Sequence, residues 1–86
     1  MKTFTYTIKD EVGIHARPAG NLVKRIKDFT STVTIEKEGK PPVSGTALMK
    51  LMGLGVKCGD TVTFKIEGDD EAAAAAAIEE FMNANL

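Results

Sequence analysis

Between Thr3 and Ile8 the chain alternates strictly, with Phe4, Tyr6 and Ile8 on one side and Thr3, Thr5 and Thr7 on the other. A period of two in aromatic and β-branched residues predicts a half-buried strand. Lys9-Asp10-Glu11 reads as a polar turn, and Gly13 supplies backbone freedom just ahead of His15. From Ala16 to Phe29 the period changes. Ala16, Ala19, Leu22, Val23, Ile26 and Phe29 recur at spacings of three and four, and Lys24, Arg25 and Lys27 fall between them. That spacing predicts an amphipathic helix over 16–29.

Alternation returns at 32–37, where Val33, Ile35 and Lys37 stand opposite Thr32, Thr34 and Glu36. Glu38-Gly39-Lys40 reads as a hairpin turn leading into a short strand over 40–44, which Pro41 and Pro42 require to lie at a sheet edge or to be irregular. A helix of two turns or less is expected over 47–52, capped by Thr46 and stopped by Gly53 and Gly55. A further alternating strand over 61–67 buries Val62, Phe64 and Ile66. Asp69-Asp70-Glu71 then puts carboxylates at the positive end of a last helix, whose inward stripe is Ala74, Ile78, Phe81 and Met82. The order is βαββαβα in a single domain over 1–86. Strands with one apolar face predict an antiparallel sheet with helices on that face only, an α+β two-layer open-faced sandwich.

Composition narrows the functional classes. The chain has 86 residues, 11 Lys+Arg against 12 Asp+Glu, one Cys and one His. A formal charge of -1 argues against a nucleic-acid binder held by phosphate contacts. The longest apolar run, Ala72 to Ile78, is far short of a membrane span. The opening residues lack an apolar signal core, and the lone Cys58 cannot form an internal disulfide, so the expected setting is the cytoplasm. Beside Lys57, Cys58 is read as a turn residue.

With one histidine, proton or phosphoryl chemistry near neutral pH falls to His15. Its setting is Gly13-Ile14-His15-Ala16-Arg17-Pro18-Ala19. Pro18 has a helix-compatible φ and no N–H, so it belongs in a first helical turn. His15 then stands at or beside the helix start, where Ser, Thr, Asp or Asn is usual. The free amides of that turn lack a side-chain acceptor, and water or an anion can take its place. An anion there meets both the helix dipole and the Arg17 guanidinium, a pairing suited to a phosphoryl group. Imidazole can itself carry that group covalently. Taken alone, a histidine in a loop is as often a solvated residue, and spacing leaves both readings open.

The segment around His15 resembles the active-site signature of the HPr family, the histidine-containing phosphocarriers of the bacterial phosphoenolpyruvate-dependent sugar phosphotransferase system. Gly39-Lys40, Leu48-Met49-Lys50-Leu51-Met52, Leu54-Gly55-Val56 and Glu67-Gly68 follow in the family's order and spacing, so the resemblance spans essentially the whole chain. It implies a four-stranded antiparallel sheet with three helices on one face. It also implies a monomeric phosphoryl-transfer intermediary, without cofactor or metal, that accepts a phosphoryl group from enzyme I on Nδ1 of His15 and passes it to an enzyme IIA domain. Arg17 matches the arginine that neutralises the group, and the amides of Ala16 and Arg17 its backbone donors. Pro18 shapes the turn. The partner surface carries over to Gly20, Leu48, Met49 and Met52, flanked by Lys24, Lys27 and Lys50.

The sequence departs from the family at one regulatory feature. Many members carry a kinase-modified serine at the cap of the second helix. Gapless alignment back from Leu54-Gly55-Val56 puts Ala47 there, with Thr46 one residue early. Either Thr46 acts only as the cap, or the register shifts and Thr46 becomes the phosphosite. Gly20 is also less usual than alanine in a helix interior. A rival reading makes the chain a regulatory module that docks through Leu48, Met49 and Met52 on a transcription factor or metabolic enzyme. A third, a small nucleic-acid module, is opposed by the neutral charge and by the shortage of exposed aromatics.

Overall fold

The computed structural model describes residues 1–10 and 16–85. Its elements run β1 (Lys2–Thr7), α1 (Ala16–Ile26), β2 (Thr32–Lys37), β3 (Val43–Ser44), α2 (Leu48–Gly53), β4 (Thr61–Glu67) and α3 (Glu71–Asn85). The strands form one sheet ordered β1-β4-β2-β3, with every pair antiparallel. Phe4 and Ile35 both face Phe64, and Tyr6 and Lys37 both face Val62, so the apolar members of each alternation share one side. The helices cover that side. Ala19, Leu22, Ile26, Leu51, Ala74, Ile78 and Met82 join Val33, Ile35, Val62, Phe64 and Ile66 in one cluster. The rings of Phe4 and Phe64 stack at 4.8 Å and 14°. Such a pair adds about 0.5–1.5 kcal/mol beyond the area it buries.

The other side of the sheet is open and polar, as expected for an α+β open-faced sandwich. Thr7 and Thr61 share a hydroxyl hydrogen bond at 3.0 Å, and Lys65 pairs with Glu36 at 3.3 Å. Threonine keeps the β-branched fit to a pleated surface while offering water a hydroxyl.

Beyond a one-residue shift of β1, three boundaries differ from the sequence expectation. α1 ends at Ile26 rather than Phe29, because the amides of Asp28 and Phe29 bond carbonyls only three residues back, at 3.1 Å each. Phe29 is half-buried in that tight turn beneath the Arg25 guanidinium, 5.2 Å from the ring centroid. β3 spans only Val43–Ser44 and pairs with β2 alone, so the prolines shorten it as well as confining it to the edge.

The start of α2 is the third correction. Its N-cap is Ala47, whose carbonyl accepts the Leu51 amide at 2.9 Å, and no side chain caps the helix. Thr46 is not the cap; its hydroxyl is bonded instead to Ser44 Oγ at 3.0 Å. The reason lies just upstream. Gly45 donates to the Val33 carbonyl at 2.8 Å, so the chain is still tied to β2 one residue before Thr46. At the far end Gly53 is still helical, and the stop comes at Gly55, with φ +65°.

Register fixes which ends meet. β1 and β2 run the same way on either side of β4, so Thr7, Thr61 and Lys37 lie at one end of the sheet. Lys37 Nζ reaches the Gly55 carbonyl at 3.1 Å and Asp60 at 3.0 Å, bringing the close of α2 to that end. α1 starts after β1 and α3 runs back antiparallel to β4, so the start of α1 and the close of α3 arrive there too.

Candidate functional site at the start of the first helix

His15, with Gly13 and Ile14, lies outside the described residues; it immediately precedes Ala16, the first residue of α1. What is described is the turn that follows. It contains no acidic residue, whereas Lys24 and Arg25 occupy the last turn. Charges of that sign at that end complement the helix dipole, and the amino end keeps its positive character. Pro18 is buried, so it shapes the turn from inside. Arg17 beside it is exposed, with no ion-pair partner among the described residues.

Arg17 and Pro18 line an open groove of about 330 Å³ together with Asp10, Asn21 and Asn85. The groove joins the segment after β1, the first turns of α1 and the last turn of α3. Asn85 Nδ2 donates to the Phe81 carbonyl at 3.0 Å, which orients its amide. Asn21 and Asn85 carry no motif, and reading the sequence missed them. The available signal was the placing of Asn21 four residues after Arg17, on the same helical face.

The apolar surface predicted on α2 is partly there. Met49 is 80% exposed and Met52 37%, while Leu48 is half-buried and Leu51 fully buried. Gly20 is half-buried, and Leu22 and Val23 belong wholly to the core. α1 and α2 are packed neighbours, so the two methionines flank the helix that carries Arg17. Lys24, Lys27 and Lys50 are exposed. Thr46 is exposed and lies at the other end of α2 from Met52. Among the described residues no helix is long and apolar enough to cross a membrane.

A small open-faced sandwich with an exposed arginine in a first helical turn free of acidic residues defines a class of domain suited to holding an anion transiently at its surface. The chain belongs to the HPr phosphocarrier family of the phosphotransferase system: residues 2–84 match the model of the "PTS HPr component phosphorylation site". It is 38% identical over 85 residues to the phosphocarrier protein HPr of Mycoplasma genitalium, covering 99% of this chain and 97% of that protein. It is 43% identical over 72 residues to the multiphosphoryl transfer protein of Haemophilus influenzae, where it covers 81% of this chain but spans only 14% of that protein's length. Its fold superposes on a crystal structure of HPr from Thermoanaerobacter tengcongensis with a TM-score of 0.91 and 38% identity, covering 98% and 93% of the two chains.

Proposed function

We propose that the chain accepts a phosphoryl group on Nδ1 of His15 from phosphorylated enzyme I and passes it to an enzyme IIA domain during sugar uptake. The observation that carries the reading is local. In a chain of this family, an exposed Arg17 without a carboxylate partner among the described residues stands two residues after the only histidine, in a helical turn free of acidic side chains. In the accepting step the new N–P bond forms as the donor's bond to phosphorus breaks. The phosphoryl charge arrives with the group and is met by the Arg17 guanidinium and the first-turn amides of Ala16 and Arg17. In the donating step the same N–P bond breaks toward the acceptor. No metal or cofactor is required of this chain, because a phosphoramidate already activates its phosphoryl group. Met49 and Met52 with half-buried Leu48 supply an adaptable docking surface for successive partners. Regulation by a kinase at Thr46 is not part of this reading, since the cap position itself holds Ala47.

Incubation with phosphoenolpyruvate, magnesium and enzyme I, followed by intact mass, tests the assignment. One acid-labile phosphate is expected on the wild-type chain and none on His15→Ala. A His15→Ala chain that still took up an acid-labile phosphate would overturn it.

A further inference from the structure

We propose that Asn21 is a positioning residue for Arg17, holding the guanidinium in the orientation that meets a phosphoryl group. The inference rests on the phosphocarrier reading and adds a residue to it. Asn21 follows Arg17 by four positions in α1, which places it about one turn further along the same face. Helical side chains lean toward the amino end, so its short carboxamide is carried back over the Arg17 position. Both residues line the groove that Asp10 and Asn85 close from the other side.

The chemistry of the groove suits a guanidinium. Arg17 offers five N–H donors in a fixed fork, and a bidentate phosphoryl contact uses two of them. The remainder need acceptors. Neither carboxamide is hydrogen-bonded to Arg17 in the structure; Asn21 Oδ1 and Asn85 Oδ1, the latter's Nδ2 being bound to the Phe81 carbonyl at 3.0 Å, line the same groove and are the acceptors the guanidinium meets as it turns to the phosphoryl group. A carboxamide at position 21 accepts these protons without adding a charge that would compete with the phosphoryl oxygens for Arg17.

The helix itself argues that Asn21 is kept for something other than stability. Gly20 and Asn21 are adjacent weak helix formers inside α1. A Cβ at Gly20 would meet nothing within 4 Å, so sterics do not demand the glycine. Asn21 is exposed, with no side-chain hydrogen bond among the described residues. Local weakness without a packing return is the signature of a functional position.

The test uses the full chain carrying Asn21→Ala, Asn21→Gln, Arg17→Ala and the Arg17→Ala/Asn21→Ala pair. Each is loaded by phosphoenolpyruvate and enzyme I and checked by intact mass. Transfer from the loaded chain to an enzyme IIA domain is then followed by rapid quench. Asn21→Ala is expected to lower the maximal transfer rate about three- to tenfold with KM for the partner nearly unchanged, and Asn21→Gln to restore most of the loss. In the Arg17→Ala background the Asn21 substitution is expected to change nothing further, because the group it positions is gone. Additive effects, a change in KM alone, or an unaltered Asn21→Ala rate would overturn the proposal. Alanine is the better helix former, so an unfolded variant is not the expected result, and thermal unfolding checks it. Failure of the wild-type chain to take up phosphate would overturn the phosphocarrier reading instead, and the two failures are told apart at the loading step.

Discussion

Some single polar groups tie distant parts of this molecule together, and Asp70 is the clearest case. Its carbonyl accepts the Ala74 amide at 2.9 Å, beginning α3, while its carboxylate turns to the loop before β2. There it accepts from the Thr30 amide at 2.8 Å, the Ser31 amide at 2.9 Å and the Ser31 hydroxyl. The Ser31 hydroxyl above all, then the Thr30 and Ser31 amides, hold the Asp70 carboxyl below its usual range. Gly68 makes room for this latch, since a Cβ there would lie 2.7 Å from Ser31 Cα. A carboxyl with a lowered folded-state pKa contributes fully above its unfolded value and loses that contribution as pH falls through the folded one. Thermal unfolding from pH 7 to pH 2.5 should therefore show wild type falling more steeply below about pH 4 than Asp70→Asn. Some slope remains in the variant, because the Lys57 amide and Lys37 lower Asp60, and the terminal ammonium lowers Glu71. Parallel curves for the two proteins would mean that the latch adds nothing. Tyr6 presents the opposite situation: its hydroxyl is buried without a hydrogen-bond partner among the described residues. Tyr6→Phe is expected to stabilise the fold by about 1 kcal/mol, a rise in Tm of roughly 4–8 °C for a chain of this size. A lower Tm would show that the hydroxyl is satisfied in solution.

At the scale of elements, the weak point is the entry to α2. A six-residue helix whose N-cap is Ala47, with no side-chain cap, leaves its first amides to water. Ala47→Ser should satisfy one of them and raise stability by about 1 kcal/mol. Urea unfolding checks this as a higher midpoint at unchanged slope; an unchanged midpoint would mean that a hydroxyl at 47 does not reach the helix amides. The same entry shows what kind of information the sequence holds. β2 and β4 were legible to the residue, and β1 to within one, because period-two alternation of β-branched and aromatic side chains is a local property. α3 was legible from its propensity and from the stripe of Ala74, Ile78 and Met82. Thr46 misled because its local preference for capping is overridden by a tertiary tie, the Gly45 bond to Val33. Phe29 misled likewise, since a tight turn can bury an aromatic at helical spacing without extending the helix. The site divides along the same line. Arg17 and Pro18 could be read from neighbours within one turn, and the exposed α2 methionines from the family motif. The groove could not be anticipated, because Asn21 and Asn85 meet only where α3 ends beside the start of α1.

For the whole molecule, a formal charge of -1 combines carboxylates engaged internally with exposed lysines that are not paired among the described residues. Asp69, Asp70 and Glu71 lie at the start of α3, the end of the sheet away from Arg17, and two of these carboxylates are engaged internally. On α1, Arg25 is paired with Asp28 at 3.0 Å, while Lys24 and Lys27 are exposed and have no partner among the described residues. Lys50 and Arg17 are likewise exposed without an ion-pair partner among the described residues. Exposed charges of this kind act mainly on encounter: they raise the association rate with an acidic partner and are screened over a Debye length of about 10 Å at 0.1 M salt. On the phosphocarrier reading, transfer from phosphorylated enzyme I at subsaturating concentration should slow as salt rises from about 20 to 500 mM. The Lys24→Gln/Lys27→Gln pair should be slower than wild type at low salt, by several-fold, and converge with it at high salt. Met49→Ala should behave differently, because the apolar contact it removes is not screened: its deficit should persist across the whole salt range. Rapid-quench rates on the three proteins separate the two contributions. A lysine deficit that does not shrink with salt would assign those side chains to direct contact rather than to steering.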